Sequence, residues 1–142
     1  DHVDGVTLEE AEHMLATRLW QNTSKVHFSK MVRPEGLLIY GGHIISMARA
    51  LSYNGLANAQ LIVAINGGAH AAPSMAGDTI HAWSEVLDKA ETRDGRIGAL
   101  RLRLVAIKNR AATGFPLRGD DGKYSDGVVL DFDYWALMPR KG

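Results

Sequence analysis

The chain contains no cysteine among its 142 residues. This excludes a disulfide scaffold and thiolate metal sites, and it is compatible with a reducing cytoplasm, where we expect the protein to reside. There is no surplus of charge either. Sixteen Lys and Arg balance sixteen Asp and Glu, so neither nucleic acid nor an anionic membrane surface is expected as a partner. A small anionic ligand held by two or three local cations stays open. No window approaches the ~18 consecutive apolar residues of a membrane-spanning helix. Gly-x-Gly-x-x-Gly, P-loop and Gly-x-Ser-x-Gly motifs are absent, which removes support for dinucleotide binding, phosphoryl transfer and serine hydrolysis. The histidines at positions 2, 13, 27, 43, 70 and 81 show no His-x-x-x-His spacing, so no metal site is expected.

What is present is an ordinary globular composition, 46% hydrophobic and 23% charged, enough for a buried core in one domain. With no repeat, linker or low-complexity tract, residues 1–142 read as a single unit. The start at Asp1-His2-Val3, without an initiator methionine, reads as a piece of a longer chain.

Thr7-Leu8-Glu9-Glu10 has the form of a capping box, and Leu8, Ala11, Met14, Leu15 and Leu19 follow at helical spacing, predicting a helix over 8–20. Pro34 and Gly36 mark a loop. From Tyr40 to Tyr53 apolar residues cover most of a helix circumference, the mark of a buried helix, and Asn54-Gly55 predicts a left-handed C-cap. The period then changes. Leu61 to Ile65 reads as a buried strand and Asn66 to His70 as a bend. Alternation predicts strands from Thr79, over 99–107 and over 128–138, with turns at Thr92–Arg96 and Asp120–Lys123. Helices followed by long antiparallel strands predict an α+β fold, a sheet wrapped around one buried helix.

Asn22 and His27 stand five residues apart after the first helix, and Gly41-Gly42 opens the second. Each alone has an ordinary reading: a surface histidine, a tight turn. Together they describe a proton-transfer group facing a helix N-terminus, where bare amides hold a developing oxyanion. Gly77-Asp78 reads as a structural entry to a strand, and His70 has no evident partner.

Longer blocks carry a resemblance: Glu12-His13-Met14; Gln21-Asn22-Thr23 with Val26-His27-Phe28; Ile39-Tyr40-Gly41-Gly42-His43; Ala50 to Asn58; Ala76-Gly77-Asp78-Thr79 with Ala82 to Val86; and Asp133 to Leu137. On these the chain resembles the MaoC-like branch of hot-dog-fold hydratases and dehydratases, and within it the C-terminal half of double hot-dog proteins acting on mesaconyl-CoA. The resemblance implies a hot-dog fold and reversible hydration of a short branched dicarboxylic acyl-CoA thioester, of mesaconyl-CoA or β-methylmalyl-CoA type. It implies no cofactor beyond the coenzyme A of the substrate, and a homodimer or a pseudo-dimer with another hot-dog domain. A fatty-acid-type (R)-specific 2-enoyl-CoA hydratase and a non-catalytic acyl-CoA-binding half are the alternatives. The family's catalytic histidine falls on His27, its oxyanion glycine on Gly41 with Gly42 beside it, and its aspartate on Asn22. Asparagine cannot accept a proton, so Asn22 is expected to orient water while His27 acts alone. Arg18, Lys25 and Arg33 are candidates for a substrate carboxylate.

Overall fold

A computed structural model describes residues 1–59 and 61–140. The elements, in chain order, are β1 (His2–Thr7), α1 (Glu10–Leu19), a 3₁₀ turn (Lys25–His27), α2 (Gly41–Leu51), α3 (Tyr53–Leu56), β2 (Leu61–His70), β3 (Thr79–Glu91), β4 (Ile97–Lys108) and β5 (Val128–Pro139). The strands form one antiparallel sheet in the order β1-β3-β4-β5-β2.

Alternation along the strands decides which face is buried. Leu102, Leu104 and Ala106 of β4 lie opposite Tyr134, Phe132 and Leu130 of β5, and all six are buried. With Ile80 and Ala82 of β3 they form one face, and Ile44 and Ala48 of α2 pack into the same core. The residues that alternate with these, among them Arg101, Arg103, Asp131 and Asp133, lie on the opposite face. There Arg101 grips the Asp133 carboxylate with two bonds, 3.0 and 2.6 Å, holding that carboxyl below its usual range. Farther along the same face, Trp83, Val105, Ile107 and Val128 form a second core with Ala112, and the Trp83 indole N–H donates to Pro116 O at 3.2 Å.

Several expectations are corrected. Thr7 ends β1 instead of capping a helix, its hydroxyl 2.9 Å from that of Thr79. Leu8 pairs with the chain before β3, through Leu8 N–H to Asp78 O and Gly77 N–H to Leu8 O, both 2.9 Å. This extended pairing delays α1 to Glu10. The buried face of α1 is His13 and Thr17, whereas Leu15 and Leu19 are exposed. Asn54-Gly55 lies inside α3 instead of terminating α2, because Ser52 stays in helical geometry. Leu61 to Ile65 belongs to a longer strand that continues through Asn66–His70. As the edge strand, β2 has one neighbour, and Leu61, Val63 and Ile65 are exposed.

Asp78 joins the pieces around the entry to β3. Its carboxylate accepts from Met75 N–H at 2.9 Å, Asn109 Nδ2 at 2.7 Å and Lys108 Nζ at 3.1 Å. Burial pushes its pKa upward, but these three donors outweigh burial and hold it below 3.8. A carboxylate with a depressed folded pKa stabilises the protein above its unfolded value and loses that contribution as pH falls through the folded one. Asp78→Ala should therefore cost about 2 kcal/mol at pH 7 in urea unfolding, and the difference from the parent should shrink progressively once the pH drops below 3.8.

Candidate active site

His27 closes the 3₁₀ turn, and its Nδ1 lies 2.8 Å from Leu38 O. A carbonyl only accepts, so Nδ1 carries the proton and a neutral ring keeps its lone pair on Nε2. Leu38 returns the tie, its N–H donating to Val26 O at 3.1 Å. The next residues are held as firmly: Ile39 N–H donates to Ser74 O at 2.9 Å, and Tyr40 N–H to His13 Nε2 at 2.8 Å.

Tyr40 is the N-cap of α2 and offers no side-chain capping bond. Its carbonyl accepts from His43 N–H at 2.9 Å and Ile44 N–H at 3.3 Å. The amides of Gly41 and Gly42 come before the first intrahelical bonds, where helix donors lack partners of their own. Both glycines lie in close approach to a neighbouring ring. A Cβ on Gly41 would come within 2.6 Å of His70 Cε1, and one on Gly42 within 2.7 Å of the Tyr40 ring. Those amides border a cavity of about 570 Å³. His27, Tyr40, His70 and Ser74 line it with the glycines, and Leu38, Ile44, Ile45 and Val129 supply apolar wall.

Behind the cavity lies a histidine cluster. His13 is fully buried, with its ring 6.4 Å from His27 and 6.0 Å from His43. Burial, then the charges of His43 and His27, lower its pKa to about 4 against an opposing pull from Glu10, so it is neutral near pH 7. His43 Nε2 lies 3.3 Å from Glu12 Oε1. Among the described residues no three His, Cys, Asp or Glu side chains are arranged to hold a metal ion, and no helix is long and apolar enough to cross a membrane.

No protein-family model matches the chain. It is 70% identical to a mesaconyl-CoA hydratase of Cereibacter sphaeroides over 99% of its own length and 41% of that protein's. It is 62% identical to a β-methylmalyl-CoA dehydratase of Chloroflexus aurantiacus, over 100% and 42%. A crystal structure from Chloroflexus aurantiacus, described provisionally as a MaoC domain protein dehydratase, superposes with a TM-score of 0.94 at 60% identity, over 100% of this chain and 42% of that one. A Mycobacterium tuberculosis protein with a double hot-dog fold superposes with a TM-score of 0.70 at 19% identity, over 98% and 40%. This chain is a MaoC-like hot-dog domain. It spans about two-fifths of the length of the curated relatives it matches.

The hot-dog domain brings together only part of the site expected from sequence. His27, Gly41 and Gly42 border one cavity. Asn22 does not line it. Its Oδ1 accepts from Ser24 N–H at 2.9 Å, and the residue borders a separate hollow with Met14, Thr17, Arg18, Gln21 and Phe28. Arg18 shares that hollow, Lys25 is exposed, and Arg33 pairs with Glu35 at 3.1 Å; none of the three lines the cavity. Conversely, His13, Tyr40, His70 and Ser74 were not expected in the site. Besides its place in the Glu12-His13-Met14 block, the sequence signal for His13 is its i, i+4 spacing from Thr17, a polar stripe that a search for apolar faces discards.

The close approach at Gly41 is testable by a double-mutant cycle. Gly41→Ala should destabilise the domain by about 1–3 kcal/mol in denaturant melts, and much of that loss should vanish in a His70→Ala background. Equal losses in both backgrounds would disprove the contact.

Proposed function

We propose that this domain is one half of a double hot-dog hydro-lyase that reversibly adds water to mesaconyl-CoA, forming β-methylmalyl-CoA. The observation that carries the reading is the pairing, on one cavity, of a histidine whose Nδ1 is committed to Leu38 O with the uncapped start of α2. The names of the two curated relatives supply the substrate class.

In the hydration direction, His27 Nε2 takes a proton from water as the water oxygen bonds to the β-carbon of the enoyl thioester. The π electrons move toward the thioester oxygen, where the Gly41 and Gly42 amides stabilise the enolate. The imidazolium then returns its proton to the α-carbon, which restores the thioester. The positive end of the α2 dipole favours the same negative charge. Balanced this way, the reaction uses no metal or redox group, and coenzyme A enters as part of the substrate. A cytoplasmic setting accords with such a substrate.

For Asn22 we propose a supporting role. Its bond to Ser24 N–H fixes the start of the turn that presents His27, and its neutral amide adds no negative charge to repel a dicarboxylic substrate. Arg18, Lys25 and Arg33 stand outside the cavity, so any pull they exert on the substrate carboxylate acts from beyond its mouth. The exposed Leu61, Val63 and Ile65 of edge strand β2 support a second hot-dog domain seated along that edge, as a pseudo-dimer or homodimer. The displacement of Asn22 from the cavity also favours a second reading, in which this half binds and shapes while its partner catalyses.

In the intact enzyme, His27→Ala should lower kcat/KM for mesaconyl-CoA about 10²–10⁴-fold, followed as loss of enoyl-thioester absorbance. Unchanged turnover would select the second reading, and preference for crotonyl-CoA would select the fatty-acid-type hydratase. Asn22→Asp retains an acceptor for Ser24 and should change turnover by less than about threefold, since conservative changes away from reacting groups act weakly. Faster turnover in that variant would restore a water-activating role to this position.

A further inference from the structure

We propose that His13 is a positioning residue: its ring clamps the Tyr40 N–H and so aims the Gly41 and Gly42 amides into the cavity, a role that rests on the hydratase reading above.

The clamp follows from geometry. Tyr40 N–H can only donate, so His13 Nε2, at 2.8 Å, must accept. The ring proton is thereby forced onto Nδ1, which is buried without a partner among the described residues. An orphaned donor in a fully buried ring is a cost that folded proteins seldom accept without a compensating task. The task here is to anchor the peptide that begins α2. The Tyr40 carbonyl is already fixed by His43 and Ile44 N–H, so tying its N–H holds the two peptide groups that flank the N-cap residue. The glycine amides follow directly in the chain, and misplacing such donors by about 1 Å can cost on the order of 100-fold in rate.

The charged and titratable groups around the ring come from three elements: Glu10 on its own helix α1, His27 in the 3₁₀ turn, and His43 on α2. His43 and His27 lower the affinity of His13 for a proton and Glu10 raises it. A protonated His13 could not accept from Tyr40, so the clamp requires the neutral ring.

Two polar variants separate the acceptor from mere bulk. Glutamine carries an acceptor near the Nε2 position, whereas asparagine falls short of Tyr40. In the intact enzyme, His13→Gln should keep kcat for mesaconyl-CoA within about threefold of the parent, and His13→Asn should lose roughly 10- to 100-fold in kcat with KM changed less than about threefold. Hydrogen exchange at the Tyr40 amide should be slow in the parent and His13→Gln, and fast in His13→Asn. Full activity in both variants, equal impairment of both, or an unprotected Tyr40 amide in the parent would overturn the proposal. If the parent hydrates no enoyl-CoA, the hydratase reading falls, and the three exchange rates alone decide whether the clamp exists.

Discussion

The fold depends on burying α2 against the inner face of the sheet while leaving its first turn open. Ile44 and Ala48 give the helix its apolar contact with Leu102, Leu104, Phe132 and Tyr134, and burying a side chain such as Ile44 contributes roughly 2–3 kcal/mol. A buried helix start ordinarily satisfies its amides with a capping side chain. Tyr40 supplies none. The approach is instead pinned from outside, at Leu38 by the 3₁₀ turn, at Ile39 by Ser74 and at Tyr40 by His13. The loop can therefore hold its shape while the next two amides stay available.

At the far end of α2 the same economy takes a different form. Arg49 reaches the Tyr134 hydroxyl and Ala59 O, each at 2.9 Å, so a cation anchors the helix C-terminus to a buried phenol of β5. The charge also suits the negative end of the helix dipole. One end of α2 is thus closed by a long side chain, and the other opens on the cavity at Gly41 and Gly42.

Burial also sets the proton chemistry. Fully enclosed near two other imidazoles, His13 is neutral across the physiological range. His27 is only partly buried and has one nitrogen committed to Leu38 and the other without a hydrogen bond among the described residues. Two histidines thereby acquire different settings from their surroundings alone, one a buried acceptor and the other a ring on the cavity wall. The absent carboxylate at position 22 fits this pattern, since the Asn22 amide is spent on the turn that presents His27.

Much of this was legible in the chain. Alternation in Ala99–Ile107 and Val128–Met138 determined which side chains face inward, because a strand's period of two leaves no other choice. The apolar run after Gly41 marked the central helix, and His27 with Gly41-Gly42 marked residues that meet on one cavity. Other features had no local signal. The apolar pattern of Leu61–Ile65 reads as buried, but position at the sheet's edge leaves Leu61, Val63 and Ile65 exposed while Ile62 packs on the core, and strand order is a property of the whole sheet. Leu8, Ala11, Met14, Leu15 and Leu19 resemble an inward face, yet α1 turns His13 and Thr17 to the core, where His13 accepts from Tyr40 N–H, 27 residues away along the chain. Sequence determined the central helix and the inward faces of the two central strands β4 and β5, since these follow from local periodicity. Only the tertiary structure decided that Asn22 lies outside the cavity, that Tyr40 and His70 line it and that His13 packs beside His27, because such meetings depend on how distant elements pack.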